Sequence, residues 1–245
     1  MSPIFSKQSS LALAVITLAY VGCLAYILSG GYRILSSDEL AYLAIAESYA
    51  NLDLVRAING MRPALPSLFA APFVAFGGIG DITLVRFPGY FFGLVLLWMV
   101  FVYAGTLSIS PWRRLAIVLP LIPLVVWFSM SLGSDMIAGA FGLAFLLMLS
   151  NGRFLSSDRS AIACGLLFGF SLLAKTFLFY LSIVLLVFGF FYHFFFRHGE
   201  FARKLIIRRT VIIMLIVGVM GTAWAGILSI KYGYFSLGAA GRHNF

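Results

Sequence analysis

The sequence predicts an all-α polytopic membrane protein with about seven transmembrane helices and a large first outer loop that contains juxtamembrane helices. Two observations predict this class. Of the 245 residues, 62% are hydrophobic and only 10% are charged, whereas soluble domains carry roughly 25% charged residues. The apolar residues also form several long runs, and a helix needs about 20 apolar residues to cross a bilayer.

The first apolar run covers about residues 10–30. It is longer than the apolar region of about 7–15 residues in a secretory signal peptide, so we interpret it as an uncleaved first span. Six further runs have the length of a span: 82–108, 114–132, 133–150, 160–176, 177–196 and 209–230. Only short junctions, near Asp135 and at Lys175, separate two pairs of these runs, which predicts tight hairpins.

An eighth run, at 64–79, is short and contains Pro66 and Pro72, and a proline removes a backbone hydrogen bond from a helix. The charges decide whether it crosses. If it does not cross and the N-terminus is cytoplasmic, ten of the 17 Lys and Arg residues lie inside. If it crosses, only five do. Cytoplasmic loops are rich in Lys and Arg, so we predict seven spans with an outer loop at 31–82 and an outer tail at 231–245.

The remaining composition excludes several classes. The net charge of +9 resolves into clusters at the ends of apolar segments, which indicates topology signals and no nucleic-acid partner. Cys23 and Cys164 both fall inside apolar runs, so no disulfide framework is implied. The sequence contains no P-loop, zinc-ligand spacing, nucleophile elbow or dinucleotide fingerprint. Chemistry with a soluble cytoplasmic nucleotide is therefore not expected.

The predicted topology places six of the eight acidic residues outside. Asp38 and Glu39 stand side by side after the first span, and Tyr42 follows one helical turn later. Ser36-x-x-Glu39 matches a capping box, and acids are favoured in the first turn of a helix. Capping and chemistry both remain open for these acids. The same two interpretations hold for Asp135, an acid at membrane depth that also begins a helix.

Several cations can likewise be interpreted either as substrate contacts or as structural residues. Lys175 interrupts a long apolar stretch on the outer side, where it would bind a ligand or extend its amine to the surface. Arg62 precedes Pro63 in the first outer loop, and Arg242 and His243 lie in the Gly-rich tail. The basic run at 197–209 is interpreted as a cytoplasmic anchor that touches anionic membrane lipid.

Over nearly its whole length the chain resembles the membrane-embedded GT-C glycosyltransferases, especially the protein-mannosyltransferase-like and aminoarabinose-transferase-like branch. The resemblance lies in the order and spacing of short motifs: Asp38-Glu39-x-x-Tyr42, Arg62-Pro63-Ala64-Leu65, Arg86-Phe87-Pro88, Ser134-Asp135, Leu172-Leu173-Ala174-Lys175 and the tail from Lys231 to Asn244. It implies that residues 1–245 form a single seven-span module. Family members continue with further spans, so the tail at 231–245 is expected to begin a missing C-terminal part.

The resemblance implies an inverting glycosyltransferase of the plasma (inner) membrane. It would move a sugar from a polyprenyl-phosphate donor to a hydroxyl of a glycan, lipid or protein acceptor on the periplasmic or extracellular face. A carboxylate would deprotonate the acceptor, and cations would hold the departing phosphate. The implied catalytic residues are Asp38 as base, with Glu39 and Asp135 orienting it. The implied substrate-binding residues are Tyr42, Arg62, Lys175, Arg242 and His243. Where a divalent cation is used, Asp38 and Asp135 would hold it.

Two alternatives belong to other classes. One is a non-catalytic or partial GT-C relative that acts as an accessory subunit. The other is a polytopic carrier of lipids or solutes. Carriers place polar groups near the bilayer midplane, whereas here the polar groups gather at span ends on one face. This distribution favours surface chemistry on a membrane-bound donor.

Overall fold

The computed structural model describes residues 7–31, 35–58, 60–132, 134–196 and 200–233, with side chains at all of these positions except 176–179, 196 and 200–202. Over the described ranges the fold is all-α, without a β-strand. The α-helices in these ranges are, in chain order, α1 (Lys7–Ser29), α2 (Ser37–Ala50), α3 (Leu54–Ala57), α4 (Ala64–Gly77), α5 (Ile82–Val85), α6 (Phe87–Thr106), α7 (Pro111–Val118), α8 (Ile122–Ser129), α9 (Ser134–Ser150), α10 (Asp158–Ala174), α11 (Thr176–Phe196) and α12 (Glu200–Tyr232).

Every apolar run of the sequence is helical, so the predicted positions of the helices are confirmed. The run at 114–132 forms two helices, α7 and α8, because a 3₁₀ turn at Leu119–Leu121 with Pro120 at its centre separates them and proline lacks the N–H that a continuous helix needs. The last helix begins at Glu200 rather than at residue 209. Its first turns are rich in Lys and Arg, which form helices well without being apolar.

Among the described residues, four helical segments are long and apolar enough to span a membrane: Lys7–Ser29, Ile82–Thr106, Pro111–Ser129 and Arg203–Tyr232. They mark the chain as a membrane protein. Shorter apolar helices occur at Ala64–Gly77, Ser134–Ser150 and Tyr180–Phe195. At 1.5 Å per residue, the 14 residues of α4 extend about 21 Å, less than the hydrocarbon thickness of about 30 Å. Length alone therefore does not decide the number of spans.

The chain forms two compact units. The first unit contains residues 1–57 and 66–140, and the second contains residues 58–65 and 141–245. A short piece of the first outer loop thus belongs to the second unit, together with the last helices. The prediction of one seven-span module stays a prediction.

Helices α1, α6, α7 and α8 of the first unit pack around one apolar cluster. Its buried members are Ala12, Ile16, Tyr20, Leu97, Phe101, Leu115, Val118, Ile122, Val125, Val126 and Met136. At Gly93 the helices approach so closely that a Cβ would overlap the hydroxyl groups of Ser129 and Tyr20. Small residues permit such contact between membrane helices. The Tyr20 hydroxyl donates a hydrogen bond to the Tyr90 carbonyl at 2.9 Å, which ties α1 to α6.

The second unit has its own core, in which α10 packs along α12. The buried members of its cluster are Phe145, Leu149, Phe154, Leu155, Ala161, Cys164, Phe168, Leu186, Ile206, Ile213 and Val217. Gly165 and Gly169, one turn apart on α10, face Ile216 and Met220 of α12, and a Cβ at Gly169 would overlap the Met220 sulfur. This pair of glycines sets the close spacing of the two helices.

Helices α2 and α4 form the packed part of the first outer loop. A small cluster joins them, with buried members Tyr42, Leu43, Ala46, Ala70, Val74, Val85 and Leu132. The Ser67 hydroxyl donates a hydrogen bond to the Tyr42 carbonyl at 2.9 Å, and both groups are buried. The juxtamembrane helices expected in this loop are present, and they pack on each other as part of the first unit.

Candidate functional site

The start of α2 carries the predicted capping box. Ser36 is the N-cap, and its hydroxyl accepts a hydrogen bond from the Glu39 amide at 3.2 Å. In return Glu39 Oε2 accepts from the Ser36 amide at 3.0 Å. These two bonds satisfy donors that a helix start leaves unpaired. The capping interpretation of this motif is therefore confirmed, and it uses one of the two carboxylate oxygens.

The second oxygen of Glu39 has three donors. Arg86 donates to Oε1 from Nε at 3.0 Å and from Nη2 at 2.9 Å, and the Leu132 amide donates at 3.0 Å. The pair is almost inaccessible, with Glu39 4% and Arg86 1% exposed. A buried charge is tolerated when it is paired and fully hydrogen-bonded. Glu39 therefore acts as a fixed junction between three segments.

This junction joins the chain segments that carry Asp38 and Asp135, two of the exposed acids of the first unit. Asp38 precedes Glu39 directly, and it is exposed in the first turn of α2. Asp135 lies three residues after Leu132, exposed in the first turn of α9. Three residues span at most about 11 Å of chain. Both acids therefore begin helices next to one anchored carboxylate, where the helix dipole favours negative charge.

The two tyrosines of α2 differ in accessibility. Tyr42 is buried, 5% exposed, within the cluster that joins α2 to α4. Tyr49, two turns later, is half-buried, and burial raises the pKa of its hydroxyl group above the usual value. The hydroxyl therefore stays protonated at neutral pH and can donate a hydrogen bond. Tyr42 lies one turn after Asp38 on α2, as the sequence predicts, but a substrate role for it stays a prediction.

The described side chains contain no group of three His, Cys, Asp or Glu residues that could hold a metal ion. The two acids predicted to hold a cation are Asp38 and Asp135, which begin helices next to the Glu39 junction. Two carboxylates leave most positions of a Mg²⁺ or Mn²⁺ ion to water or substrate oxygens. Such a site would be completed only by the substrate phosphate, and the cation remains a prediction.

Lys175 lies in the second unit, as the single residue between α10 and α11. Its backbone is extended, with φ −159° and ψ 112°, and its amide donates to the Ser171 carbonyl at 2.9 Å. The side chain is half-buried. The predicted tight junction is confirmed, because one extended residue separates the two helices. The proposed contact of Lys175 with a phosphate is untested.

Arg62 also belongs to the second unit, in the loop segment that the end of α12 holds. The Gly60 amide donates a hydrogen bond to the Tyr232 hydroxyl at 3.3 Å. The Lys231 ammonium group donates to the Ile58 carbonyl. Arg62 is half-buried two residues after Gly60. The other two predicted phosphate or acceptor contacts, Arg242 and His243, lie outside the described residues.

Arg86 is the site residue that sequence reasoning missed. From the sequence, Arg86 stands out only as part of the Arg86-Phe87-Pro88 motif. The available signal was its position, because it is the only charged residue in the run 82–108. A lone cation at the start of an apolar helix needs a buried partner or access to water. The partner itself, Glu39, lies 47 residues away in the sequence and has no local signature.

A second group of ion pairs lies near the start of α12 in the second unit. Asp158, in the first turn of α10, meets Arg208 Nη2 at 2.6 Å and Arg209 Nε at 2.7 Å. The side chains of Asp158 and Arg208 are 43% and 64% exposed, and that of Arg209 is 10% exposed. The two arginines come from the basic segment that the sequence indicates as a cytoplasmic anchor.

Compared with protein-family models, with curated proteins and with solved structures, the chain has no match.

Proposed function

We propose that the protein is a membrane glycosyltransferase that moves a sugar from a polyprenyl-phosphate donor to an acceptor hydroxyl, with inversion. The observation that carries this proposal is the pair of exposed acids, Asp38 and Asp135, whose helices begin at the buried Glu39 junction. A capped helix start alone does not require a buried Arg86 and the Leu132 amide on the same carboxylate. Precise placement of neighbouring carboxylates is what proton transfer at a fixed substrate requires.

In this proposal Asp38 is the general base. Its carboxylate takes the proton of the acceptor hydroxyl while the acceptor oxygen attacks the anomeric carbon. The bond from that carbon to the donor phosphate breaks, and the electron pair leaves with the polyprenyl phosphate. Asp135 orients the acceptor or the base, and Glu39 supports both from its buried position. Attack from the face opposite the phosphate inverts the configuration.

The departing phosphate gains negative charge, so cations that contact it lower the barrier. We assign this role to Lys175 and Arg62 in the second unit, together with Arg242 and His243 beyond the described residues. A guanidinium group suits phosphate because it can donate two parallel hydrogen bonds. A lipid-linked donor also explains why Asp38, Asp135 and Lys175 lie in sequence next to apolar helices.

The same proposal includes seven spans in the plasma membrane, with a cytoplasmic N-terminus and the active face outside. The Glu39–Arg86 ion pair supports this count. Glu39 precedes the short helix α4 and Arg86 follows it, and their charged groups meet at 2.9 Å. Two residues on either side of a helix that crosses the bilayer would stand on opposite faces. The pair therefore favours an α4 that returns to the outer face.

A contact in the second unit supports the count independently. Lys231, at the end of α12, binds the carbonyl of Ile58 in the first outer loop. These residues share a face only if the chain between them crosses an even number of times. The spans at 82–106, 111–129 and 203–232 alone would give three crossings. If α9, α10 and α11 all cross, the total is six, which satisfies the contact, whereas a crossing α4 would make it seven, which does not.

Asp38→Asn tests the transferase. Asparagine is as good a residue as aspartate near a helix start, so the helix should form, but the amide cannot take a proton. General-base catalysis contributes roughly 10²–10⁴-fold in rate. We expect sugar transfer from a polyprenyl-phosphate donor in liposomes to fall at least about a hundredfold, with donor binding retained. Activity within about threefold of the parent would remove Asp38 as the base.

A further inference from the structure

The end of α12 holds one short piece of the first outer loop at two points. The Lys231 ammonium group donates a hydrogen bond to the Ile58 carbonyl, and the Tyr232 hydroxyl accepts a hydrogen bond from the Gly60 amide at 3.3 Å. The Lys231 nitrogen also lies 5.3 Å from the centre of the Tyr232 ring, within the range of a cation–π contact. The two side chains thus support each other and bind backbone groups more than 170 residues away in sequence.

The short loop at 60–63 joins these contacts to α4. Its C-terminal side is already restrained, so only its N-terminal side needs the support that α12 gives. Pro63 has a restricted φ and disfavours helical geometry at the residue before it, which stiffens Arg62 from its C-terminal side. Helix α4 begins at once, at Ala64. On the other side stands Gly60, the residue type with the largest backbone freedom. The contact with Tyr232 removes that freedom at the amide of Gly60 itself.

We propose that Lys231 and Tyr232 are positioning residues that hold the backbone of Ile58 and of Gly60 so that Arg62 meets the phosphate of the lipid-linked donor. The inference rests on the proposed function, because it takes Arg62 as a contact of that phosphate. Neither Lys231 nor Tyr232 needs to touch the substrate. They act through the loop, and the second unit supplies the rigid element from which Arg62 is placed.

The first measurement is hydrogen exchange at the loop, which does not depend on activity. Tyr232→Phe keeps the ring and removes the acceptor of the Gly60 amide. We expect exchange in a peptide covering 58–62 to accelerate about fivefold, the size of one typical hydrogen bond. Tyr26→Phe is the matched control, since Tyr26 is 80% exposed at the end of α1. Unchanged exchange in Tyr232→Phe would overturn the inference.

The second measurement is binding of farnesyl phosphate, a polyprenyl phosphate without a sugar, to the complete protein in detergent. Arg62→Gln should weaken binding about tenfold or more, as expected for a lost charge-assisted bond. Lys231→Met and Tyr232→Phe should weaken it about threefold to tenfold, and Lys231→Arg should restore most of the affinity. When combined with Arg62→Gln, neither variant should weaken binding further, because residues that act through one contact are not additive.

The outcomes separate the inference from the proposed function. Full additivity with Arg62→Gln, or unchanged binding in Lys231→Met and Tyr232→Phe, would overturn the positioning role even in an active transferase. A parent protein that does not bind farnesyl phosphate would overturn it as well. A parent protein that binds farnesyl phosphate but transfers no sugar would refute the proposed transferase function. In that case, weaker and non-additive binding in the variants would still support the positioning role.

Discussion

The ion pair of the first unit and the ion pairs of the second unit contain the same chemical groups in different surroundings. Glu39 and Arg86 are 5% and 1% exposed at their side chains, whereas Asp158 and Arg208 are 43% and 64% exposed. Removing one partner of a buried pair leaves an uncompensated charge and costs about 3–5 kcal/mol. Exposed pairs contribute about 0–1 kcal/mol. The burial of the groups, rather than their charge, separates the two regions.

The two regions also differ in how many segments they join. Glu39 binds its own helix start, the residue before α6 and the backbone before α9. Asp158 binds two adjacent arginines of a single helix, α12. A fully hydrogen-bonded buried network fixes one geometry, which suits a site. The Asp158 group suits an anchor at a membrane surface, where water and lipid compete for the arginines.

The largest effect is expected in the labelling of introduced cysteines. This experiment tests whether the Glu39–Arg86 region and the Asp158 region face opposite sides of the membrane. In a background without Cys23 and Cys164, cysteines at Ser48 and Gly80 should react with an impermeant thiol reagent in intact cells. A cysteine at Ser156, close to Asp158, should react only after lysis. Reaction of the Gly80 site only after lysis would show that α4 crosses and would refute the seven-span arrangement.

The next largest effect concerns stability. Arg86→Met leaves Glu39 buried without its cation, so the free energy of unfolding should fall by about 3–5 kcal/mol. Denaturation in mixed micelles measures this difference. The matched control is Arg208→Met, which removes an exposed cation and should cost at most about 1 kcal/mol. Equal losses in the two variants would show that burial does not distinguish the two regions.

A smaller effect is expected from substitution of Lys175, which the proposed topology places on the outer face. Lys175→Gln keeps the length of the side chain nearly unchanged and removes its charge. If Lys175 holds the donor phosphate, the KM for donor should rise about tenfold or more, with similar amounts of protein in the membrane. The control is Lys204→Gln, an exposed cation of the basic segment in α12. Reduced protein level with normal activity per molecule would make Lys175 structural.

The smallest effect is expected at Asp158. Asparagine keeps an oxygen that can accept a hydrogen bond from the buried Arg209, and the Asp158 side chain is 43% exposed. Asp158→Asn should therefore lower the free energy of unfolding by about 1 kcal/mol. Because salt screens exposed charges, with a Debye length of about 3 Å at 1 M, the difference from the parent should shrink further at high salt. Denaturation at low and at high salt measures it. A loss of several kcal/mol that persists at high salt would place Asp158 in the same class as Glu39.

Helix positions and the capping box were determined by the sequence alone, because both depend on residues close together in the chain. An apolar run of about 20 residues is helical in a membrane whatever surrounds it, since its backbone groups must bond within the segment. The Ser36–Glu39 capping box is also local, because its two residues lie three positions apart in the chain. Two helices depart from the predicted runs. The start of α12 at Glu200 arises from good helix formers that carry charge, and the 3₁₀ turn at Leu119–Leu121 divides the run at 114–132.

Only the tertiary structure decided the partners of these local elements. Glu39 is paired with Arg86 and with the Leu132 amide, 47 and 93 residues away, and Lys231 binds Ile58 at a separation of 173 residues. No periodicity or spacing encodes such contacts, because they depend on which helix faces come together after packing. The sequence alone could therefore mark Asp38, Asp135 and Arg62 as candidates, whereas packing identified Arg86, Lys231 and Tyr232, the residues that hold their segments in place.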